Sequence, residues 1–214
     1  MNDDASQFWD KTARKYAKSP IADEAAYQLT LDRTRHYLSK EDHVLEVGCG
    51  TGSTALLLAK DVAHITASDF SDTMIEIAEE KRQAEDIANV QFIKSSIADI
   101  QHYEKPYDVV MALNVLHLIE DLPKALSEIH DLVKPGGIFI SKTVCQLGSS
   151  APMKYRLLKL ILPLMQWLGK APFVQFMQVS ELENALTSAG FEIVESDNYP
   201  KTAISRYIVA RKIG

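Results

Sequence analysis

Val44-Leu45-Glu46-Val47-Gly48-Cys49-Gly50-Thr51-Gly52, running directly into Ser53-Thr54-Ala55-Leu56-Leu57-Leu58-Ala59, is the stretch whose reading decides the fold. An aliphatic, β-branched run ends at an acidic residue, crosses three glycines at alternate positions and enters a helix-forming segment, which predicts a strand, a tight loop and a helix. A loop that lets a ligand approach its backbone must lack Cβ atoms and reach positive φ, and glycine does both. The helix start adds free N–H groups and a partial positive charge, so the loop is expected to hold something polar. A dinucleotide fingerprint is Gly-x-Gly-x-x-Gly. Counted from Gly48, its third glycine would stand at 53, but 53 is Ser and the glycine is Gly52.

Composition sets the frame around this loop. The chain has 214 residues, 46% hydrophobic and 24% charged, as expected of a single globular domain. A net charge of -6 leaves no electrostatic footprint for nucleic acid, so no nucleic-acid partner is expected. Cys49 and Cys145 are the two cysteines; a disulfide framework is not expected, and a reducing, cytoplasmic location is. Met1-Asn2-Asp3-Asp4 is acidic and lacks an apolar core segment, so no signal peptide is expected. No run reaches the length of a membrane span.

Downstream, Ala63 to Asp69 reads as a second strand, with Asp69 at the fingerprint distance of about 20 residues from the loop, where a carboxylate accepts ribose hydroxyls. Ser71 is suited to cap a helix whose buried side holds Met74, Ile75 and Ala78. Val90–Lys94 and Tyr107–Leu113 are the third and fourth strands. Asn114-Val115-Leu116-His117 lies past the end of the fourth, where open parallel sheets bind ligands; His36, His43, His64, His102 and His130 have no such place. Leu122, Ala125, Leu126, Ile129 and Leu132 mark an amphipathic helix with Pro123 in its first turn. Lys134-Pro135-Gly136-Gly137 reads as a turn into a fifth strand, Ile138–Val144. Ser180 with Glu183 reads as a capping box, and the helix it opens closes at Gly190. A sixth strand, Phe191–Glu195, and a seventh, Ala203–Arg211, follow as an antiparallel pair.

Two segments stand outside this alternation. The N-terminal 39 residues read as two helical stretches, the first carrying Phe8, Trp9 and Tyr16, the second placing Ile21, Ala25, Leu29 and Tyr37 near one face. Residues 146–179 are apolar and interrupted by Lys159 and Pro163; with Tyr155, Trp167, Phe173, Phe176 and Met177 they are expected to arch over the strand ends as a helical lid. Lys154, Arg156, Lys159 and Lys170 make this the most basic part of an acidic chain and leave room for peripheral contact with an anionic membrane face.

With Glu46 before it, the Gly48-x-Gly50-x-Gly52 loop resembles the first motif of the class I S-adenosylmethionine-dependent methyltransferases. Asp69, the Val133-Lys134-Pro135-Gly136-Gly137 pattern and the Trp9-x-x-x-Ala13-x-x-Tyr16 segment are similar to further features of that family's small-molecule members. The resemblance covers residues from about 40 to 211 and implies a Rossmann-like α/β fold with a doubly wound, seven-stranded sheet in the order 3-2-1-4-5-7-6, the last strand antiparallel. It implies S-adenosylmethionine as cofactor, S-adenosylhomocysteine as product, and a cofactor site of Glu46, Gly48, Cys49, Gly50, Gly52, Asp69, Phe70, Met74, Ser96, Ile97, Leu113 and Asn114. Where the family often has Gly-Asp to receive the adenine amino group, this chain has Ser95-Ser96; Ser96, Asp99 or the Ile97 backbone remain as alternatives. His117 resembles the histidine that small-molecule members place beside the sulfonium and is the candidate general base. Trp9, Tyr16, His117, Tyr155, Trp167 and Phe173 are the expected acceptor pocket. No metal is expected, and the nucleobase-methylating Pro-Pro-Tyr signature is absent. The expected acceptor is a small molecule with a hydrophobic part, of the quinone-like, phenolic or lipid kind, handled by a monomer or a homodimer. The rival readings are a nicotinamide oxidoreductase and a non-catalytic cofactor-binding protein.

Overall fold

A computed structural model describes residues 3–100, 106–145, 161–162, 165–166 and 171–214. The described elements run α1 (Asp3–Lys18), α2 (Glu24–Arg35), β1 (His43–Val47), α3 (Ser53–Leu58), β2 (His64–Asp69), α4 (Asp72–Ala84), β3 (Val90–Lys94), β4 (Tyr107–Leu113), a 3-10 turn (Leu116–Leu118), α5 (Leu122–Leu132), β5 (Val133–Val144), α6 (Val179–Ser188), β6 (Phe191–Asn198) and β7 (Ser205–Lys212). The seven described strands form one sheet in the order β3-β2-β1-β4-β5-β7-β6, the order the resemblance implies. β1 to β5 pair in parallel and β7 runs antiparallel to both β5 and β6.

The central strands are covered on both faces, which is why they read as continuous aliphatic runs rather than alternating ones. One face of the sheet packs Leu45, Val110 and Phe139 against Leu126, Ile129 and Leu132 of α5 and Leu182 and Leu186 of α6. The other packs Val44, Ile65, Met111 and Ile140 against Leu31 of α2 and Ala55, Leu56 and Leu58 of α3. Every residue placed on the inner stripe of α5 from its spacing, Leu122 to Leu132, is buried.

The N-terminal helices are fixed by specific contacts. Ala13, with Trp9 and Ala17, packs on Met74 and Ile77 of α4. The Asp10 carboxylate accepts from Ser71 Oγ at 2.5 Å and from the Thr73 N–H at 3.1 Å, so α1 also holds the start of α4. Arg33 of α2 donates through Nε to both oxygens of Glu195 in β6 at 2.8 Å, while Tyr37 and Tyr199 donate to the same carboxylate. Burial pushes the Glu195 carboxyl up, but the bonds from Arg33, Tyr199 and Tyr37 outweigh it and hold it at about 2.

Four local expectations are corrected. The buried face of α2 is Thr30, Leu31 and Thr34, whereas Ile21 and Leu29 are exposed. The threonine hydroxyls donate inside the helix, to Ala26 O and Thr30 O at 2.8 Å, and so are buried without loss of a partner. The last helix starts two residues earlier than a Ser180 cap would place it. Glu181 Oε2 accepts from the Gln178 N–H at 2.7 Å, so Gln178 occupies the cap position. The turn at 134–137 is a bulge within β5, because Val133 pairs with Tyr107 and Ile138 with Val109. β6 continues to Asn198, three residues beyond its expected end at Glu195. Most of the expected lid, including Tyr155, Trp167, Lys154, Arg156, Lys159 and Lys170, lies outside the described residues.

Candidate active site

β1, β2 and β4 end together at one edge of the sheet, and a cavity of about 480 Å³ opens there. Its floor is the glycine loop, and its walls are the end of β2, the Leu113–Val115 segment after β4, and the N-terminal segment from Trp9 to Tyr27. A second cavity of about 250 Å³ shares Trp9, Phe70, Val115 and Leu118 with the first and extends over Ser96-Ile97-Ala98 to Pro172 and Phe173.

Glu46 sits at the end of β1, 2% exposed. Among the described residues its Oε2 is buried without a hydrogen-bond partner, and burial, with the neighbouring Asp69 charge, pushes its carboxyl up to about 8 against an N–H bond from Ala55. A buried acceptor left unpaired in a cavity wall is costly unless a ligand supplies the donor.

Asp69 ends β2. Its Oδ1 accepts from the Ser71 N–H and its Oδ2 from the Gly50 N–H, both at 2.9 Å. Burial raises its pKa and these bonds oppose the rise; a carboxylate offers about four lone-pair sites, so capacity remains for a further pair of donors. The loop glycines differ in what they allow. All three have positive φ; a Cβ at Gly52 would lie 2.5 Å from Phe92 Cζ and at Gly48 2.5 Å from a Val115 methyl, whereas at Gly50 it would meet nothing within 4 Å. Gly50 is therefore the position left open for a ligand, and Gly52, absent from the cavity wall, serves the packing of the loop on α4 and β3.

The other residues expected at the site divide as follows. Gly48, Cys49, Phe70, Met74, Leu113 and Asn114 line the first cavity together with Trp9 and Tyr16; Ser96, Ile97 and Phe173 line the second. Asn114 adopts φ of 61°, a left-handed conformation that asparagine tolerates, and donates its N–H to Lys142 O at 2.7 Å. Burial, with Glu46 and Asp69 nearby, raises the Cys49 thiol pKa far above its ordinary value. Ser96 Oγ is engaged with Asp99 Oδ2 at 2.6 Å. His117 lines neither cavity; its neighbours Val115 and Leu118 do. Among the described residues its Nδ1 is buried without a partner, and burial lowers its pKa. Sequence reasoning passed over Tyr27, whose Oη shares a hydrogen bond with Thr54 Oγ1 at 3.2 Å, and Ser53, Lys81, Ile21 and Leu118, which also line the first cavity.

A family model described as a methyltransferase domain matches residues 38–195. The chain belongs to this methyltransferase family. Demethylmenaquinone methyltransferase of Leptospira interrogans is 31% identical over 175 residues, 73% of this chain and 70% of that protein. The mitochondrial arginine hydroxylase NDUFAF5 of Danio rerio, whose name carries a different chemistry, is 28% identical over 94% of this chain and 61% of its own length. In fold, the chain resembles the crystal structure of magnesium protoporphyrin IX methyltransferase from Synechocystis, with a TM-score of 0.70 at 20% identity over 97% of this chain and 95% of that one. The cofactor of this methyltransferase is S-adenosylmethionine, and the nicotinamide reading is set aside with it. The orphaned Glu46 Oε2 and the open space above Gly50 fit a cationic ligand. No described helix is long and apolar enough to cross a membrane.

Proposed function

We propose that this methyltransferase acts on a small acceptor with an apolar ring or chain, of the quinol or phenol kind. The observation that carries this reading is the wall opposite the glycine loop: Trp9, Tyr16, Pro20, Ile21 and Leu118 line the first cavity, and Tyr16 and Ile21 are 57% and 47% exposed at its mouth. Apolar side chains left in water at the edge of a cavity are a surface for an apolar ligand. The name of the Leptospira relative, demethylmenaquinone methyltransferase, agrees with a quinone-type acceptor.

In this reading Glu46, the loop from Gly48 to Gly52, Asp69, Phe70, Met74, Ser96, Ile97, Leu113 and Asn114 hold the cofactor. Residues 1–39 form a cap and residues 146–179 a lid. S-adenosylmethionine, when bound, supplies an electrophilic sulfonium methyl group. The protein's own work is then alignment and exclusion of water. Trp9 and Tyr16 press the acceptor toward the Leu113–Val115 wall, and Tyr27, held by Thr54, fixes a polar atom of it. Burial raises the Tyr27 pKa, so the phenol stays protonated and donates. The free cysteines Cys49 and Cys145 agree with a cytoplasmic enzyme.

A turnover panel tests the acceptor class: reduced 1,4-naphthoquinones, catechols and short polar amines, each with S-adenosylmethionine, followed by S-adenosylhomocysteine release. Turnover of the aromatic acceptors alone is expected. Turnover confined to the short polar amines removes the proposal.

A further inference from the structure

Among the described residues, three charged ones line the larger cavity: Glu46, Asp69 and Lys81. The first two have a place in the reading above and the third does not. Lys81 lies on α4 and reaches back to the loop, where its ammonium donates to Thr51 O and Thr51 Oγ1 at 3.0 Å and to Ser53 Oγ at 2.9 Å. An ammonium has three donors, and all three are spent on uncharged oxygens. Among the described residues Lys81 forms no ion pair. A cation half-buried without a carboxylate is a cost to the free protein: burial lowers its pKa, and Glu85 opposes this only through its more distant charge.

The two hydroxyls matter as much as the ammonium. A hydroxyl that accepts from Nζ still has its own proton to give. Thr51 and Ser53 both line the cavity, so the lysine turns two side chains that are donor or acceptor at will into donors. Beside the unpaired Glu46 carboxyl, the wall then presents one cation with its oriented hydroxyls. The amino-acid tail of S-adenosylmethionine carries the inverse pair, an ammonium and a carboxylate.

We propose that Lys81, through the Ser53 and Thr51 hydroxyls it orients, is the counter-cation for the α-carboxylate in the methionine tail of S-adenosylmethionine. Lys81 is thus a positioning residue, and the hydroxyls are the groups that touch the ligand. The proposal rests on the cofactor site described above. The bland role for the same contacts is a staple between α4 and the loop, which would serve any ligand of the loop equally.

Titration calorimetry on the full chain separates the two, using S-adenosylmethionine, S-adenosylhomocysteine and decarboxylated S-adenosylmethionine, which keeps the sulfonium and the adenosine. Wild type is expected to prefer the carboxylated ligands by about tenfold or more, the scale of a charge-assisted hydrogen bond. Lys81→Met should weaken both carboxylated ligands by about that factor and leave the decarboxylated one within about twofold, with Lys81→Arg restoring most of the preference. Ser53→Ala, which leaves the lysine and the backbone in place, should erase part of the preference and serves if the methionine variant does not fold. Equal weakening of all three ligands by Lys81→Met, or an undiminished preference in Ser53→Ala, overturns the proposal. Wild type that binds none of the three ligands removes the cofactor site itself, a result distinct from either.

Discussion

The Asp69 carboxylate accepts the Gly50 N–H at 2.9 Å, tying the end of β2 to the middle glycine of the loop after β1. Its other oxygen accepts the Ser71 N–H at the same distance, at the start of α4. One side chain therefore sets the spacing of the loop and of α4, both of which line the cavity, before any ligand arrives. Asp69→Asn has nearly the same shape but a single acceptor oxygen, so its NH2 group must face one of the two N–H donors. Two charge-assisted bonds are weakened or lost, and a stability loss of about 2 kcal/mol by urea denaturation is expected. Calorimetry on the same variant should show S-adenosylmethionine binding weakened by more than about tenfold, since the loop and its remaining acceptor capacity go together. Unchanged stability would show that the carboxylate does not set the loop.

With Glu46 facing the cofactor as proposed, binding is expected to depend on pH. Its carboxyl, raised to about 8, is largely protonated in the free protein at neutral pH, and a cation placed beside it favours the ionised form. Binding at pH 7 should then release a proton, which calorimetry in buffers of different ionisation enthalpy detects, and affinity should rise with pH and level off above about 8. Stability moves the other way. A carboxyl whose folded pKa is above its unfolded value binds more protons when folded, so its contribution is complete below the unfolded value of about 4.3 and declines as pH rises through 8. Thermal melts of the free protein should show this decline between pH 5 and 9, and Glu46→Gln should flatten it while weakening the cofactor. A free protein equally stable across that range, with no proton released on binding, contradicts this account.

The loop glycines should separate folding from binding. Gly52→Ala places a Cβ 2.5 Å from Phe92 Cζ and 2.8 Å from Ala78 Cβ at a φ of 74°, and a stability loss above about 2 kcal/mol is expected from clash and backbone strain together. Gly50→Ala meets nothing within 4 Å, so only the left-handed φ costs, about 1 kcal/mol. Its methyl group occupies the space left for the ligand, and cofactor affinity should fall far more than stability does. Chemical denaturation and calorimetry on the two variants give opposite rankings if the loop is built this way.

The parts of this fold that depend on local repetition could be read from the chain. β1 and β4 are built on aliphatic runs, the stripe of α5 repeats at three and four residues, and the glycine spacing after β1 leaves little freedom in how the loop is built. Where a tertiary contact decides, the sequence carried less. Thr30 and Thr34 are buried in α2 because their hydroxyls bond inside the helix, which a hydrophobic pattern scores as an outward face. Lys81 is 30 residues from Thr51 and is brought to the loop by the packing of α4; nothing around it marks it as different from Lys94, which pairs with Asp72 at the surface. Tyr27 has the same history, since its place in the cavity depends on where α2 docks. A cap at Gln178 is hard to read from the sequence because the nearby Ser180 is the stronger cap in isolation, while the Glu181 carboxylate reaches the earlier residue.

His117 puts the choice between alignment and proton transfer to a direct test. The histidine occupies the 3-10 turn after β4, its carbonyl accepts the Gln175 N–H at 2.7 Å, and the adjacent Leu116 is fully buried in the core. Val115 and Leu118 form the cavity surface on either side, while the imidazole lines neither cavity. Its lowered pKa keeps it neutral at pH 7 and able to accept a proton, so charge state alone does not exclude a base. Position is what argues against one: a general base must come within hydrogen-bond reach of the proton it removes, and it then contributes about 10²- to 10⁴-fold. His117→Ala is therefore expected to lower turnover by less than about tenfold, well under that range, with S-adenosylmethionine affinity unchanged. The measurement is kcat and KM for an acceptor found by the turnover panel, across pH 6 to 9, beside calorimetry for the cofactor. A fall of a hundredfold or more in kcat, together with loss of a titration near the histidine range, would place the imidazole at the reacting atom and restore it as the base.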